Sequence, residues 1–418
     1  MTTAEQLCPV VHGKTFDPLD AEQSANPFPW LHAAQEQRPV FYLPGHDMWC
    51  VTRYDDVVAV LRDAATYSSR KVIRLAQLGP ELADAFPDGP PDEVLVSLDP
   101  PAHTRLRTLA QKAFTPKLIN AREDEIRALC HALIDEVAGA GRCDLVADFA
   151  DRLPVQVITR LVGAPLEKAP AFHQWGVDRV LLQRGAPHLD DAERAALGAR
   201  VVEMSSWLRE FVEERRARPR DDLASALVHA TSDNGHPALS TAETVTMIGT
   251  VLSAGSTTTA HFIPLMVRDL VRHPEQWQQV LADRSLVKRT VEETLRHVTS
   301  VHGVTRTTTK PVRLGGIDLP AGADLYVHYA AAQRDPRVFE QPDELDIHRA
   351  GVNRHFAFGR GIHTCLGAPL ARLEAKVALE TLIERLPGLR LAADRPPERW
   401  LPNLLTPGLE RLDLEWEH

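Results

Sequence analysis

The sequence predicts a mainly α-helical protein with small β-sheets, folded as one integrated domain. Three observations carry that prediction. The stretch from about residue 101 to 300 is rich in Ala, Leu, Glu and Arg at helical spacing, and short β-rich runs flank turn signals near the start and again after Val304. No repeat of 20 to 50 residues and no low-complexity linker divides the 418 residues, and 44% hydrophobic content suffices for a large core.

Val40-Phe41-Tyr42-Leu43 and Trp49-Cys50-Val51-Thr52 bracket Pro44-Gly45, which predicts a hairpin. From Asp55 the pattern turns helical, with Val57, Val58, Val60 and Leu61. Residues 71–98 are broken by Gly79, Pro80, Pro87, Gly89, Pro90 and Pro91 and read as an irregular segment of the kind that often carries function. Ser240-Thr241-Ala242-Glu243 is a capping box, so a long apolar helix should follow it through Val245, Ile248, Val251, Leu252 and Phe262. Its interior Ala254-Gly255-Ser256-Thr257-Thr258-Thr259 is poor helix material, since glycine there costs roughly 1 kcal/mol against alanine and β-branched residues are disfavoured. Val312–Ile317 and Leu325–Tyr329 flank Pro320-Ala321-Gly322 and predict a second small sheet. A final helix should begin near Leu366, with Leu370, Leu373 and Val377 on one stripe, and the tail from Pro387-Gly388 reads as loop and short strand.

Composition bounds the function. A formal charge of −10 and a pI near 6.0 give no basic field for nucleic acid or an anionic membrane, so neither partner is expected. The opening Met1–Gln6 has no basic region followed by an apolar run, and no stretch reaches the roughly 20 apolar residues of a membrane helix, so a cytoplasmic protein is expected. Cys8, Cys50, Cys130, Cys143 and Cys365 are few, odd in number and scattered, which argues against a disulfide framework.

The most informative stretch is Phe358-Gly359-Arg360-Gly361-Ile362-His363-Thr364-Cys365-Leu366-Gly367. Its glycines permit positive φ and close approach of backbone to a flat ligand, and the helix that follows supplies free amides and a dipole that stabilise a thiolate. No second Cys or His stands at zinc-finger spacing. A lone Cys-x-Gly would read most simply as a buried cysteine in a turn. The complete Phe-Gly-x-Gly-x-His-x-Cys-x-Gly spacing resembles the haem-ligand signature of the cytochrome P450 family.

That resemblance implies the cytochrome P450 fold, a single triangular-prism-like domain over residues 1–418 enclosing haem b (iron protoporphyrin IX). It makes Cys365 the axial thiolate and metal ligand, sets Phe358 against the macrocycle, closes the motif at Gly367, and gives His363 a haem propionate. Glu293-Thr294-Leu295-Arg296, by itself an ordinary i, i+3 ion pair, matches the family's Glu-x-x-Arg motif, with Arg349 as the third member of a structural triad. His103 and Arg107 lie four apart on one helical face, where two cationic donors can grip carboxylates; the segment resembles the propionate helix, and Arg306 matches the propionate arginine. Ala254-Gly255-Ser256-Thr257-Thr258 resembles the oxygen-binding stretch, in which threonine hydroxyls compete for the carbonyl four residues back and can bend the helix, opening a pocket for dioxygen and water. Thr258 then matches the residue that hydrogen-bonds oxygen and helps deliver protons. Thr257 stands where the family usually has an acid, so protons must come from waters, another acid, the substrate or peroxide. Ser300 departs from the proline found there in many relatives.

The resemblance further implies a distal pocket for a small, largely apolar organic molecule, lined by Val72, Ile73, Phe86, Val94, Leu95, Leu181, Leu182, Val251, Val301, His302, Val304 and Leu405. His302 and Arg184 could orient a polar or acidic group. Arg105, Lys112, Arg360, Arg372 and Lys376 would gather near Cys365 as a basic patch for an acidic ferredoxin served by a ferredoxin reductase. The activity implied is monooxygenation, by hydroxylation or oxidative dealkylation. Thr257 leaves a peroxide-driven oxygenase or an oxidative coupling enzyme open, and a haem protein that only binds or senses a ligand is a third reading.

Overall fold

The computed structural model describes residues 8–72, 94–183, 190–231 and 238–417. They group into two compact units. One comprises Met1–Ser69, Arg127–Asp151 and Thr258–His418; the other comprises Arg70–Ile126 and Arg152–Thr257.

The first unit is built on a five-stranded mixed sheet in the order Val40–Leu43, Met48–Val51, Asp324–His328, Gly303–Thr308, Tyr67–Ser68. The predicted hairpin forms, its connection Pro44–His46 ending on Asp47 at φ 48°. The expected separate second sheet does not. Asp324–His328 instead pairs in parallel with Met48–Val51, placing Tyr326 beside Cys50, and antiparallel with Gly303–Thr308, placing Leu325 opposite Arg306. Val312–Leu314 and Ile317–Leu319 form a hairpin of their own. The two-residue side-chain period divides the sheet's faces. Val40, Val51, Leu325 and Val327 pack with Tyr54, Val57, Tyr329 and Phe356. Phe41, Leu43, Cys50 and Tyr326 pack with Phe16, Trp30 and Leu31.

Helices Tyr54–Arg62, Val287–His297 and Ala368–Arg385 belong to this unit. The last starts two residues later than the sequence suggests, because Gly367 is its N-cap and Pro369, which needs no amide partner, sits in its first turn. In the second unit, helices Ala169–Gln183 and Asp191–Ala217 are tied by fully buried Asp178, which accepts from Arg200 Nε at 2.6 Å and Nη2 at 2.9 Å. The long helix Thr241–Arg272 contributes to both units and carries Pro264 inside it. Its predicted capping box is present: Glu243 N donates to Ser240 Oγ at 3.1 Å, and Ser240 N to Glu243 Oε2 at 2.8 Å.

Candidate functional site

Four of the five cysteines are buried, and burial pushes the Cys130 and Cys143 thiols up to about 12; Cys365 is exposed. A tight loop presents it. Gly359 N donates to Phe356 O at 2.7 Å, Thr364 Oγ1 to Gly361 O at 2.8 Å, and Cys365 N to Phe358 O at 2.8 Å. Gly359 and Gly361 take φ +64° and +75°, and a Cβ at Gly361 would overlap the Leu61 carbonyl oxygen. The loop's path therefore requires glycine at 361. Three residues beyond Cys365 the helix Ala368–Arg385 begins, with no acid in its first turn to offset the dipole that favours a thiolate. A Cβ at Gly367 would stand 3.9 Å from Sγ, so glycine there keeps the sulfur's flank open.

The loop is braced from behind. Arg372 packs its guanidinium 4.3 Å from the Phe358 ring centre and donates to Glu292 at 2.5 and 3.0 Å; His355 meets the same carboxylate at 3.0 Å. Burial alone would raise the Glu292 pKa, but these hydrogen bonds and charges bring it down to about 2. One residue along the same helix, Glu293 takes Arg296 at 2.7 and 2.8 Å and Arg349 Nε at 3.0 Å, so the structure brings the triad together. All three are buried, and the arginines also donate to carbonyls of Gln333, Gln341, Pro342 and Glu344. Removing the carboxylate would strand two buried cations, a loss of about 3–5 kcal/mol by analogy with broken buried pairs.

In the same unit, His363 Nε2 lies 3.0 Å from the hydroxyl of buried Ser69, and Arg306 is 4% exposed with Nη1 donating to Thr305 O at 2.7 Å. His302 N donates to Leu405 O at 2.8 Å, and its ring lies 6.0 Å from that of His328. Burial, with Arg334 adding to it, lowers the His302 pKa to about 4, so the imidazole is neutral at pH 7. Val301 and Val304 pack against the Tyr54–Phe356 core, and Leu405 against the opposite cluster.

In the other unit, His103 and Arg107 lie on helix Ala102–Ala113. Burial, then the charge of Arg107, lowers the His103 pKa. Along the long helix Ala254 is exposed, and Thr257 and Thr258 are partly buried. Ser256 makes the hydroxyl bond to the carbonyl four residues back, at 2.8 Å to Leu252 O. Gly255, expected in the oxygen-binding stretch, faces Ile158, whose carbons would come within 3.2 Å of a Cβ; its missing side chain admits helix Leu153–Val162. Val94 is buried, whereas Val72, Leu95 and Val251 are partly buried. Leu181 and Leu182 lie on Ala169–Gln183. Ile73, Phe86 and Arg184 lie outside the described residues.

Three of the cations expected at a partner-docking face have acidic partners of their own. Arg105 pairs with Glu243, Arg372 with Glu292, and Lys376 with Glu380 at 3.5 Å. Arg360 donates to Arg354 O and stacks 5.0 Å from Phe356.

Sequence reasoning missed three contributors. Glu292 sits beside the conspicuous Glu293 but serves the cysteine loop, Ser69 meets His363, and Tyr329 aims its hydroxyl at Gly359, 3.3 Å from where a Cβ would be. A carboxylate followed directly by the Glu-x-x-Arg motif could have flagged Glu292; nothing local marks the other two. These features fit a haem. An exposed sulfur on a glycine-shaped loop just before a helix start is the donor that a haem iron would take. Among the described residues no group of His, Cys, Asp and Glu could chelate a metal, and no helix is long and apolar enough to cross a membrane.

The family model for cytochrome P450 matches residues 194–399. The chain is 36% identical over 403 residues to cytochrome P450 107B1 of Saccharopolyspora erythraea, covering 95% of this chain and 96% of that one. It is 35% identical over 414 residues to the mycinamicin IV hydroxylase/epoxidase of Micromonospora griseorubida, covering 95% and 99%. The structure of cytochrome P450 CREJ in complex with (4-ethylphenyl) dihydrogen phosphate superposes with a TM-score of 0.86 at 31% identity, covering 96% of this chain and 99% of that one. With the thiol loop, the triad and full-length similarity in agreement, this chain belongs to the cytochrome P450 family and is a haem-iron monooxygenase.

Proposed function

We propose that this enzyme binds haem b through the Cys365 thiolate and hydroxylates or oxidatively dealkylates a small, largely apolar molecule, with O2 and electrons from a separate acidic ferredoxin and its reductase. The presentation of Cys365 carries the reading: the one exposed cysteine, on a glycine-shaped loop at a helix start. Bound haem iron supplies oxygen activation, and the thiolate's electron donation favours O–O cleavage. Phe358, held by Arg372, packs against the ring; His103, Arg107, Arg306 and His363 hold its carboxylates; Thr258 passes protons. His302, neutral at pH 7, orients an uncharged hydroxyl or carbonyl on the substrate. Similarity to a mycinamicin IV hydroxylase/epoxidase supports hydroxylation of an organic small molecule as the reaction. The whole of 1–418 acts as one catalytic domain.

The reduced carbon monoxide difference spectrum tests the thiolate. A red-shifted Soret band is expected, and Cys365→Ala should abolish it; a variant spectrum identical to wild type would refute the ligand assignment. Thr257 in place of an acid favours a second reading, peroxide-driven turnover. Product formed from hydrogen peroxide alone, faster than with ferredoxin and reductase, would establish that reading over the first.

A further inference from the structure

Tyr329 opens the one-turn helix Tyr329–Ala332 directly after the strand Asp324–His328. The residue is 4% exposed, and its ring stacks on Phe356 with centroids 6.0 Å apart and planes 23° from parallel. That packing explains the ring but not the hydroxyl. The phenol oxygen faces Gly359 in the cysteine loop, in space that any Cβ there would crowd at 3.3 Å. Among the described residues it makes no hydrogen bond to protein, unlike Tyr54 in the same cluster, whose hydroxyl donates to Arg354 O at 3.0 Å. A phenol donor at the end of an otherwise buried side chain gains from an acceptor, and here the protein supplies none among the described residues.

The surroundings specify the acceptor. Burial pushes the Tyr329 phenol up to about 12, with nearby Arg306 pulling the other way, so the group is protonated at neutral pH and available as a donor. Arg306 is a buried cation on the neighbouring strand, opposite Leu325. A phenol donor and a cation on one side of the sheet are complementary to a carboxylate. We propose that Tyr329 donates a hydrogen bond to the haem carboxylate that Arg306 holds, making it a cofactor-binding residue. The inference rests on the reading of this chain as a haem-thiolate protein with Arg306 at a propionate.

The test compares wild-type and Tyr329→Phe holoenzymes, since phenylalanine keeps the ring on Phe356 and removes only the oxygen. Three quantities are read: the reduced carbon monoxide band, the rate of haem transfer to excess apomyoglobin, and the propionate bending band in the resonance Raman spectrum. The variant should retain the thiolate band, release haem about tenfold faster, as suits loss of one charge-assisted hydrogen bond, and show a shifted propionate band. Equal transfer rates would overturn the assignment, and so would faster release with an unmoved propionate band, which would mean altered packing alone. A wild-type protein without the thiolate band would instead overturn the haem reading, and this inference with it.

Discussion

Gly361 shows how narrowly a single residue shapes the thiol loop. It is constrained by its φ of +75° and by the Leu61 carbonyl at the end of helix Tyr54–Arg62, which leaves no room for a Cβ. Gly361→Ala should therefore cost roughly 1–2 kcal/mol for left-handed backbone, plus the displacement of Leu61. The expected outcome is a lower urea midpoint together with a lower haem-to-protein ratio in the purified enzyme; a variant matching wild type in both would show that the loop yields easily. This residue was legible in the sequence because its whole motif fits within Phe358–Gly367. His302 was legible as a residue but not as a charge state, since burial and Arg334 set its neutrality through the fold. Tyr329 was not legible at all. Its hydroxyl reaches the cysteine loop only because a strand, a turn and a stacked Phe356 aim it there.

At the scale of elements, helix Val287–His297 uses two successive carboxylates for different tasks. Glu293 gathers Arg296 and Arg349 in the interior, while Glu292 grips His355 and Arg372, and through Arg372 steadies Phe358. Glu292 titrates near 2 in the folded protein, against an ordinary value of 4.5. Between those values the unfolded chain binds the proton and the native state does not, so the stabilisation is complete above about pH 4.5 and is lost as pH falls toward 2. Glu292→Gln should accordingly be less stable than wild type at pH 7 and should lose less stability on acidification from pH 5 to pH 3, read from thermal midpoints across that range. Parallel curves for the two proteins would show that other carboxylates dominate the acid limb. The capping box of the long helix and the Glu293–Arg296 spacing were legible because they are local patterns. The carbonyls of Gln333, Gln341, Pro342 and Glu344 that complete the triad were not. They are backbone atoms of an irregular segment, and no residue pattern announces where such a segment passes.

At the scale of the molecule, what escaped the sequence is long-range pairing. The first hairpin and the strand Asp324–His328 are distant in sequence, and their union in one sheet turns on tertiary packing that leaves no local trace. The same holds for the C-terminal tail, legible only as loop and short strand. Asp413–Glu415 is in fact the middle strand of a three-stranded sheet, between Arg390–Leu391 and Arg142–Asp144. Leu145 N donates to Leu412 O at 2.9 Å, and Leu412 N to Asp144 Oδ1 at 3.0 Å, so the tail fixes a segment from the middle of the chain. Leu414 is fully buried there, whereas Leu401, also on a short C-terminal strand, is 46% exposed. Leu414→Ala should thus lower stability by about 2–5 kcal/mol through lost burial and a residual cavity, and Leu401→Ala should stay within about 0.5 kcal/mol of wild type. Urea denaturation of the two holoenzymes, followed by haem absorbance and by far-ultraviolet circular dichroism, separates them. If Leu414→Ala unfolds at the wild-type midpoint by both probes, the tail is not a structural strand of this unit; if haem is released at lower urea than helix is lost, the C-terminal sheet governs cofactor retention before it governs the fold.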